Sequence, residues 1–132
     1  MGIVKYLLDT HTLLWVVSGN QKLSDTAEKA LNDENALKFV SAVSAYEIMY
    51  KHKLGKLQGF EDIVVNYLDV LKKFGALEIS ISTSHAHFAG KFKWSHRDPF
   101  DRILAAQTYV ENMTLITNDE AFSSLPWVSV LW

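Results

Sequence analysis

The stretch IVKYLLD, residues 3–9, is apolar at five of its first six positions and ends in a carboxylate. A short apolar run without polar alternation is typical of a strand that is covered on both faces. Asp9 would then lie at the carboxyl end of this strand and be partly buried, where an unpaired carboxylate is costly. We therefore expect an inner strand of a parallel sheet, with an acid at the edge where such sheets build their sites.

Short apolar runs alternate with longer amphipathic stretches along the rest of the chain. Further strands are predicted at 37–42, 76–81, 113–118 and 127–132, and helices at 11–18, 24–32, 44–57, 60–75, 83–91 and 99–112. Connections of this length between strands indicate an α/β fold with a mostly parallel sheet and helices on both faces. At 132 residues, the chain is expected to form one domain, 1–132.

The composition excludes several kinds of chemistry. Without cysteine there are no disulfides, no thiol catalysis and no cysteine zinc sites. Charged or polar residues interrupt the early apolar run at Lys5, Asp9 and His11, so we expect no membrane contact, no signal peptide and a cytoplasmic protein. The net charge is −2, but if about five of the 15 acids surround a metal, the other ten face 13 basic residues and a nucleic-acid partner stays compatible.

Acidic residues recur where predicted strands end or the following helices begin. They are Asp9, Glu47, Asp98, Asp101 and Asp119. A parallel sheet brings its loop ends to one edge, and carboxylates gathered there repel one another unless a cation is present. Oxygen ligands without cysteine favour Mg²⁺ or Mn²⁺, ions that hold phosphates and activate water.

Helix capping is the simpler interpretation of several of these acids. Ser44 and Glu47 have the spacing of a capping box. Asp98 before Pro99 is the usual arrangement of an N-cap followed by a proline at the first helical position, and it places Asp101 at the third. A cap and a metal site are compatible, so the sequence leaves both interpretations open.

The residues around the fourth predicted strand have the same ambiguity. Either Asn118 or Asp119 could cap a short helix at 119–123. The hydroxyls of Ser44 and Thr117 lie near strand ends and could orient an acid or a water. We treat Ser44, Thr117, Asn118 and Asp98 as candidate supporting residues.

Four segments of the chain, in order, resemble the PIN-domain family, and within it the VapC-like toxin ribonucleases of type II toxin–antitoxin pairs. They are LLDTHTLLW (7–15), SAVSAYEIMYKHKLGKL (41–57), HRDPFDRILAAQ (96–107) and LITNDEAF (115–122). The resemblance implies a three-layer α/β/α fold and Mg²⁺- or Mn²⁺-dependent cleavage of RNA, leaving a 5′-phosphate and a 3′-hydroxyl. It also implies a cognate antitoxin as partner and a homodimer.

In the family's pattern, the four acids correspond to Asp9, Glu47, Asp101 and Asp119, which the resemblance implies are catalytic residues and metal ligands. Asp98 is extra to the minimal pattern, which leaves open whether Asp98 or Asp101 contacts the metal. We favour Asp101 as the ligand and Asp98 as a cap or support.

Three basic residues near these acids could contact the RNA backbone: Arg97, Arg102 and Lys51. A solvated helix face is the alternative for the lysine. The pair His85 and His87 has the spacing of a zinc chelate, but no further ligand pair is nearby and surface histidines are commoner, so we assign it no metal.

Two other functions compete with the endoribonuclease. A phosphatase of the haloacid dehalogenase type also has an aspartate after its first strand, but it requires a second one two residues later, where this chain has His11. A non-catalytic PIN-like module that binds nucleic acid or protein would use the acidic pocket only as a structural ion site.

Overall fold

A five-stranded parallel sheet lies between helices in the computed structural model, which describes residues 2–19 and 22–132. Along the chain the elements are β1 (Lys5–Leu8), α1 (Thr10–Ser18), α2 (Asp25–Leu31), β2 (Leu37–Ser41), α3 (Ala42–Lys53), α4 (Glu61–Val65), α5 (Tyr67–Lys73), β3 (Leu77–Ile79), α6 (Thr83–Lys91), α7 (Pro99–Val110), β4 (Thr114–Ile116), a 3₁₀ turn (Glu120–Ser124) and β5 (Val130–Leu131). The strand order is β3-β2-β1-β4-β5, and each neighbouring pair is parallel. The predicted three-layer α/β/α class is confirmed.

The central strand β1 is covered on both faces, as its apolar run predicts. Successive strand residues point to opposite faces. Leu7, with no exposed surface, packs in one cluster with Leu104 of α7, whereas Leu8 packs in another with Leu13 of α1 and Val40 of β2. Both faces of the sheet are therefore core.

The crevice at the carboxyl ends of β1 and β4 is a topological switch point. Strands β2 and β3 lie on one side of β1, and β4 and β5 lie on the other. Open parallel sheets bind their ligands at such a point. Here the start of α1 is tied to β4, since the Asp9 N–H and the Thr12 hydroxyl both donate to the carbonyl of Ile116, at 3.1 and 2.7 Å.

The predicted capping box of Ser44 and Glu47 is wrong. Helix α3 begins at Ala42, and its cap is Ser41, whose Oγ accepts the N–H of Val43 at 3.0 Å. The helix begins earlier than predicted because the chain turns as soon as β2 ends. Glu47 is therefore beyond the first turn and is free for another role.

Helix α3 also ends earlier than predicted, at Lys53, and the region of α4 and α5 and the last strand differ from the prediction. The helix expected over 60–75 is interrupted at Asn66, whose φ of −118° and ψ of 43° are not helical. The break lets Ile63 of α4 and Val70 and Leu71 of α5 pack into the same core cluster. The last strand covers only Val130–Leu131 rather than 127–132, since Val128 packs into the core beside Leu125 instead of pairing. Among the described residues, no helix is long and apolar enough to cross a membrane.

Candidate metal centre

Asp9 directly follows β1, as predicted, and is 5% exposed. Its Oδ2 accepts a hydrogen bond from Thr117 Oγ1 at 2.7 Å, which ties it to the end of β4. Burial raises the pKa of this carboxyl above its ordinary 3.8. The Thr117 hydrogen bond and the charge of His11 oppose that rise, and the charge of Glu47 adds to it. A cation would stabilise the ionised form of such a group.

Glu47 lies in the second turn of α3 and is buried. Its Oε2 accepts a hydrogen bond from Lys51 Nζ, one helical turn later, at 2.6 Å. The effect of its charge on the pKa of Asp9 shows that the two carboxylates, far apart in sequence, interact in the fold.

Asp98 caps α7, as its position before Pro99 predicts. Its Oδ1 accepts the backbone N–H groups of Phe100 at 2.9 Å and of Asp101 at 3.4 Å. Both hydrogen bonds cap the first turn of α7, which supports the interpretation of Asp98 as a cap rather than as a metal ligand.

Asp101 stands at the third position of α7 and is 7% exposed. Its Oδ2 is 2.6 Å from His96 Nε2. Burial raises the pKa of Asp101 to about 7; the His96 hydrogen bond opposes this rise, and the charges of Asp98 and Asp9 add to it. The helix start therefore brings Asp101 within electrostatic reach of Asp9.

Asp119 is placed differently from the other three acids, since its side chain is exposed. Its Oδ1 caps the 3₁₀ turn by accepting the N–H of Ala121 at 2.9 Å, so Asp119 is the capping residue of the two considered. Its own N–H donates to Thr117 Oγ1 at 3.0 Å, and that hydroxyl donates to Asp9. Thr117 thus links the fourth acid to the first through its backbone, while Asn118 is exposed.

Ser44 is fully buried, and its Oγ lies 2.8 Å from Thr10 Oγ1. Thr10 immediately follows Asp9, and Ser44 lies one turn before Glu47. This hydroxyl pair therefore fixes the start of α1 against α3, which supports both acids without contacting either.

The three basic candidates have different environments. Arg97 is exposed, and Lys51 pairs with the acid one turn before it. Arg102 donates to the carbonyls of Ala89 (2.9 Å) and Phe92, and its guanidinium carbon lies 4.2 Å from the centroid of the Phe92 ring. These contacts hold α7 against α6, so we retain Arg97 and Lys51, but not Arg102, as candidates for phosphate contact.

His96 lies among the acids, and sequence reasoning missed it. Single ligand atoms of His96, Asp98 and Asp101 all lie within 4.8 Å of one another. The available signal was its place in HRDPFDR, just before the capped start of α7.

His85, expected at the surface, is instead 2% exposed. Its Nδ1 accepts the N–H of Ser82 at 2.9 Å, and its Nε2 lies 2.7 Å from Glu111 Oε2. Nδ1 thereby completes the capping box of α6, and Nε2 links α6 to Glu111 at the end of α7, so both ring nitrogens of His85 have structural partners.

The donor set of the crevice suits a hard divalent cation. Asp9, Glu47 and Asp101 are buried oxygen donors. The charge of Glu47 acts on Asp9 and the charge of Asp9 acts on Asp101, a repulsion that positive charge would relieve. Each accepts a side-chain hydrogen bond on one oxygen, from Thr117, Lys51 and His96 in that order. A carboxylate held in this way can offer its other oxygen to a cation.

A groove of about 510 Å³ lies elsewhere, lined mostly by apolar side chains of α1, α2 and their neighbours, such as Leu13, Val16 and Leu31. None of the predicted acids lines it. Its titratable lining residues are Asp25, Glu28 and Lys38, none of which is among the buried acids of the crevice, so we favour the crevice as the site.

Comparison with known proteins agrees with the fold. The family model described as PIN domain matches residues 6–128. VapBC2 from Rickettsia felis, solved with a promoter DNA fragment, has a chain with a TM-score of 0.73 at 20% identity, covering 97% of this chain and 98% of that one. VapBC-1 from nontypeable Haemophilus influenzae gives 0.71 at 17% identity, covering 97% of both chains.

DNA-bound VapBC from Salmonella typhimurium gives a TM-score of 0.69 at 18% identity, again covering 97% of both chains. At these identities the likeness shows a common fold. No curated protein matches the sequence. Because the family model spans nearly the whole chain and the fold agrees with it, the chain belongs to the PIN domain family.

Proposed function

We propose that this chain is a Mg²⁺- or Mn²⁺-dependent endoribonuclease and the toxin of a type II toxin–antitoxin pair. The observation that carries the proposal is that Asp9, at the switch point of the sheet, interacts electrostatically with two other buried carboxylates from separate elements, Glu47 and Asp101. Membership of the PIN domain family and the likeness to VapBC structures support the nuclease and toxin roles.

The proposed metal ligands lie on two sides of the crevice. Asp9, Glu47 and Asp101 would hold the cation from the buried side, and Asp119 would complete the site from its exposed side. When bound, the cation neutralises charge on a phosphate and lowers the pKa of a water molecule that attacks phosphorus. Thr117 and Ser44 keep the acids in place, and the buried side of the crevice excludes bulk water.

RNA would approach from the exposed side of the crevice. Arg97 is an exposed cation in the segment that carries Asp98 and Asp101, and it can contact a backbone phosphate. Lys51 can do so from beside Glu47. The products would carry a 5′-phosphate and a 3′-hydroxyl.

The proposed protein partners are a cognate antitoxin and a second copy of the chain. A carboxylate-rich crevice is complementary to arginine, so an antitoxin segment could lie across it and place a guanidinium among the acids. This arrangement would inhibit the toxin in the cytoplasm until the antitoxin is removed.

The test is cleavage of structured and unstructured RNA by the purified protein with Mg²⁺, with Mn²⁺ and with EDTA. Asp9→Asn and Glu47→Gln should each lower metal-dependent cleavage at least about a hundredfold, since each removes a charged ligand. Asp69→Asn and Glu34→Gln, which change exposed acids in the same way, are the controls and should cut normally. Unchanged cleavage by both site variants would contradict the assignment.

The two other functions predict different outcomes. A non-catalytic binding module would cut no RNA under any condition. A phosphatase of the haloacid dehalogenase type would hydrolyse p-nitrophenyl phosphate. His11, at the position where that family has its second aspartate, is exposed and stacks on Trp15 with ring centroids 6.1 Å apart, so the structure does not favour this function.

A further inference from the structure

His96 lies in the segment before α7 and forms a hydrogen bond with Asp101, one of the acids of the crevice. Its Nε2 lies 2.6 Å from Asp101 Oδ2, and the two side chains are 32% and 10% exposed. When Asp101 is ionised its oxygens can only accept, so the ring nitrogen then donates a charge-assisted hydrogen bond to the carboxylate.

The ring that makes this bond is itself held in place. Trp94 packs on it with ring centroids 4.7 Å apart. Trp94 is fixed in turn by a hydrogen bond from its Nε1 to Ser124 Oγ at 2.9 Å and by contact with Phe122, a core residue. The imidazole is therefore connected through Trp94 to the core of the fold.

The same arrangement recurs at the other two buried acids. Thr117 donates to one oxygen of Asp9, and Lys51 donates to one oxygen of Glu47. Three donors from different elements thus each hold one oxygen of one acid. Such hydrogen bonds to ligating carboxylates set their orientation and tune the affinity for metal.

We propose that His96 is a positioning residue that orients Asp101 for a divalent cation. The proposal rests on the proposed function. In that state, with Asp101 ionised, Nε2 carries the proton and has no lone pair for a metal, so this nitrogen acts on the cation through Asp101 rather than as a ligand.

Two amide substitutions separate these roles. In glutamine the amide nitrogen takes the place of Nε2, so His96→Gln keeps the donor, whereas the shorter asparagine of His96→Asn cannot reach Asp101. We expect His96→Asn to weaken Mn²⁺ binding by about tenfold to a hundredfold and His96→Gln to retain most of the affinity. His87→Asn, at an exposed histidine on α6, is the control and should bind as the parent does.

The measurement is titration of the RNA-free protein with Mn²⁺, followed by electron paramagnetic resonance of the free ion. Thermal unfolding in EDTA shows that each variant is folded. If His96→Asn binds Mn²⁺ like the parent, the proposal is wrong. If His96→Gln is as weak as His96→Asn, the imidazole is a ligand and the proposal is also wrong.

The parent protein distinguishes failure of the inference from failure of the function on which it rests. Parent protein that binds no Mn²⁺ would overturn the proposed metal centre and the role of His96 together. Parent protein that binds Mn²⁺ and loses it in Asp9→Asn, but not in His96→Asn, would overturn only the role of His96.

Discussion

Asp101 shows on the scale of one side chain why this crevice needs positive charge. Burial is the main reason that the pKa of its carboxyl rises to about 7, and the charges of Asp98 and Asp9 act in the same direction. Without a cation, the protein therefore holds this group only partly ionised near neutral pH. Burial and neighbouring negative charges disfavour the ionised carboxylate, and a bound cation would offset both effects.

The stability of the metal-free protein should depend on the protonation of Asp101. Because the folded-state pKa rises from 3.8 to about 7, the stabilising form is the protonated one. Its contribution is fully present below the unfolded value and is lost as the pH rises to about 7. Asp101→Asn should therefore gain stability relative to the parent over this range, by no more than a few kcal/mol, since one pKa unit is worth about 1.4 kcal/mol and water reaches part of the group.

Urea unfolding in EDTA at a series of pH values measures this difference. Asp69→Asn, which removes the carboxylate of an exposed aspartate, is the matched control for the loss of one acidic group. Parallel stability curves for the parent and Asp101→Asn would contradict the expected ionisation of Asp101.

On the scale of the helix, the N-cap of α7 affects both the stability of that helix and the proposed metal site. The Oγ of Ser24 caps α2 by accepting the N–H of Ala27 at 3.0 Å, and Asp98 caps α7 in the same manner. Only α7 carries a proposed metal ligand in its first turn. A cap lost from α7 therefore disturbs the site as well as the helix.

Asp98→Ala and Ser24→Ala should each lower the free energy of unfolding by about 1 kcal/mol, the usual effect of losing a capping side chain. Asp98→Ala should also lower metal-dependent RNA cleavage, because the first turn that positions Asp101 is loosened. Ser24→Ala should not. Chemical denaturation and cleavage rates of both variants provide the check, and an equal loss of cleavage in the two would refute a specific role for the α7 cap.

On the scale of the whole molecule, the metal centre exists only when the sheet is assembled. Asp9 follows β1, Glu47 lies in α3 and Asp101 lies in α7. The unfolded chain keeps these carboxylates apart and cannot bind a cation with all three. Binding is therefore linked to folding, and the ion stabilises the native state.

Mn²⁺ should raise the unfolding temperature increasingly with the logarithm of its concentration above the dissociation constant, with a gain of about 2.7 kcal/mol at one hundred times that constant. Asp9→Asn should abolish this gain, because it removes the central charged ligand. Thermal unfolding with MnCl₂, compared with NaCl at equal ionic strength, measures the effect. The same gain in the parent and in Asp9→Asn would show that the ion binds elsewhere.

Much of the fold follows from short windows of the chain, because a strand covered on both faces and an amphipathic helix have periodicities that a few residues reveal. IVKYLLD predicts the central strand and the acid at its end, and Asp98 with Pro99 predicts the capped start of α7. The break at Asn66 and the short last strand were missed, since both depend on which side chains the core takes in. Hydrophobic periodicity does not show which side chains of a segment enter the core.

Sequence order alone leads to the α/β class, the acids at the strand ends and the likeness to a metal-dependent nuclease family. The pair of Glu47 and Lys51 is local, one helical turn apart, whereas only the tertiary structure decides that Thr117 is the partner of Asp9. Thr117 is 108 residues from Asp9, and their contact exists because β4 pairs with β1. Propensity and periodicity are properties of neighbouring residues, whereas a hydrogen bond across the sheet depends on strand order and register, which no local window contains.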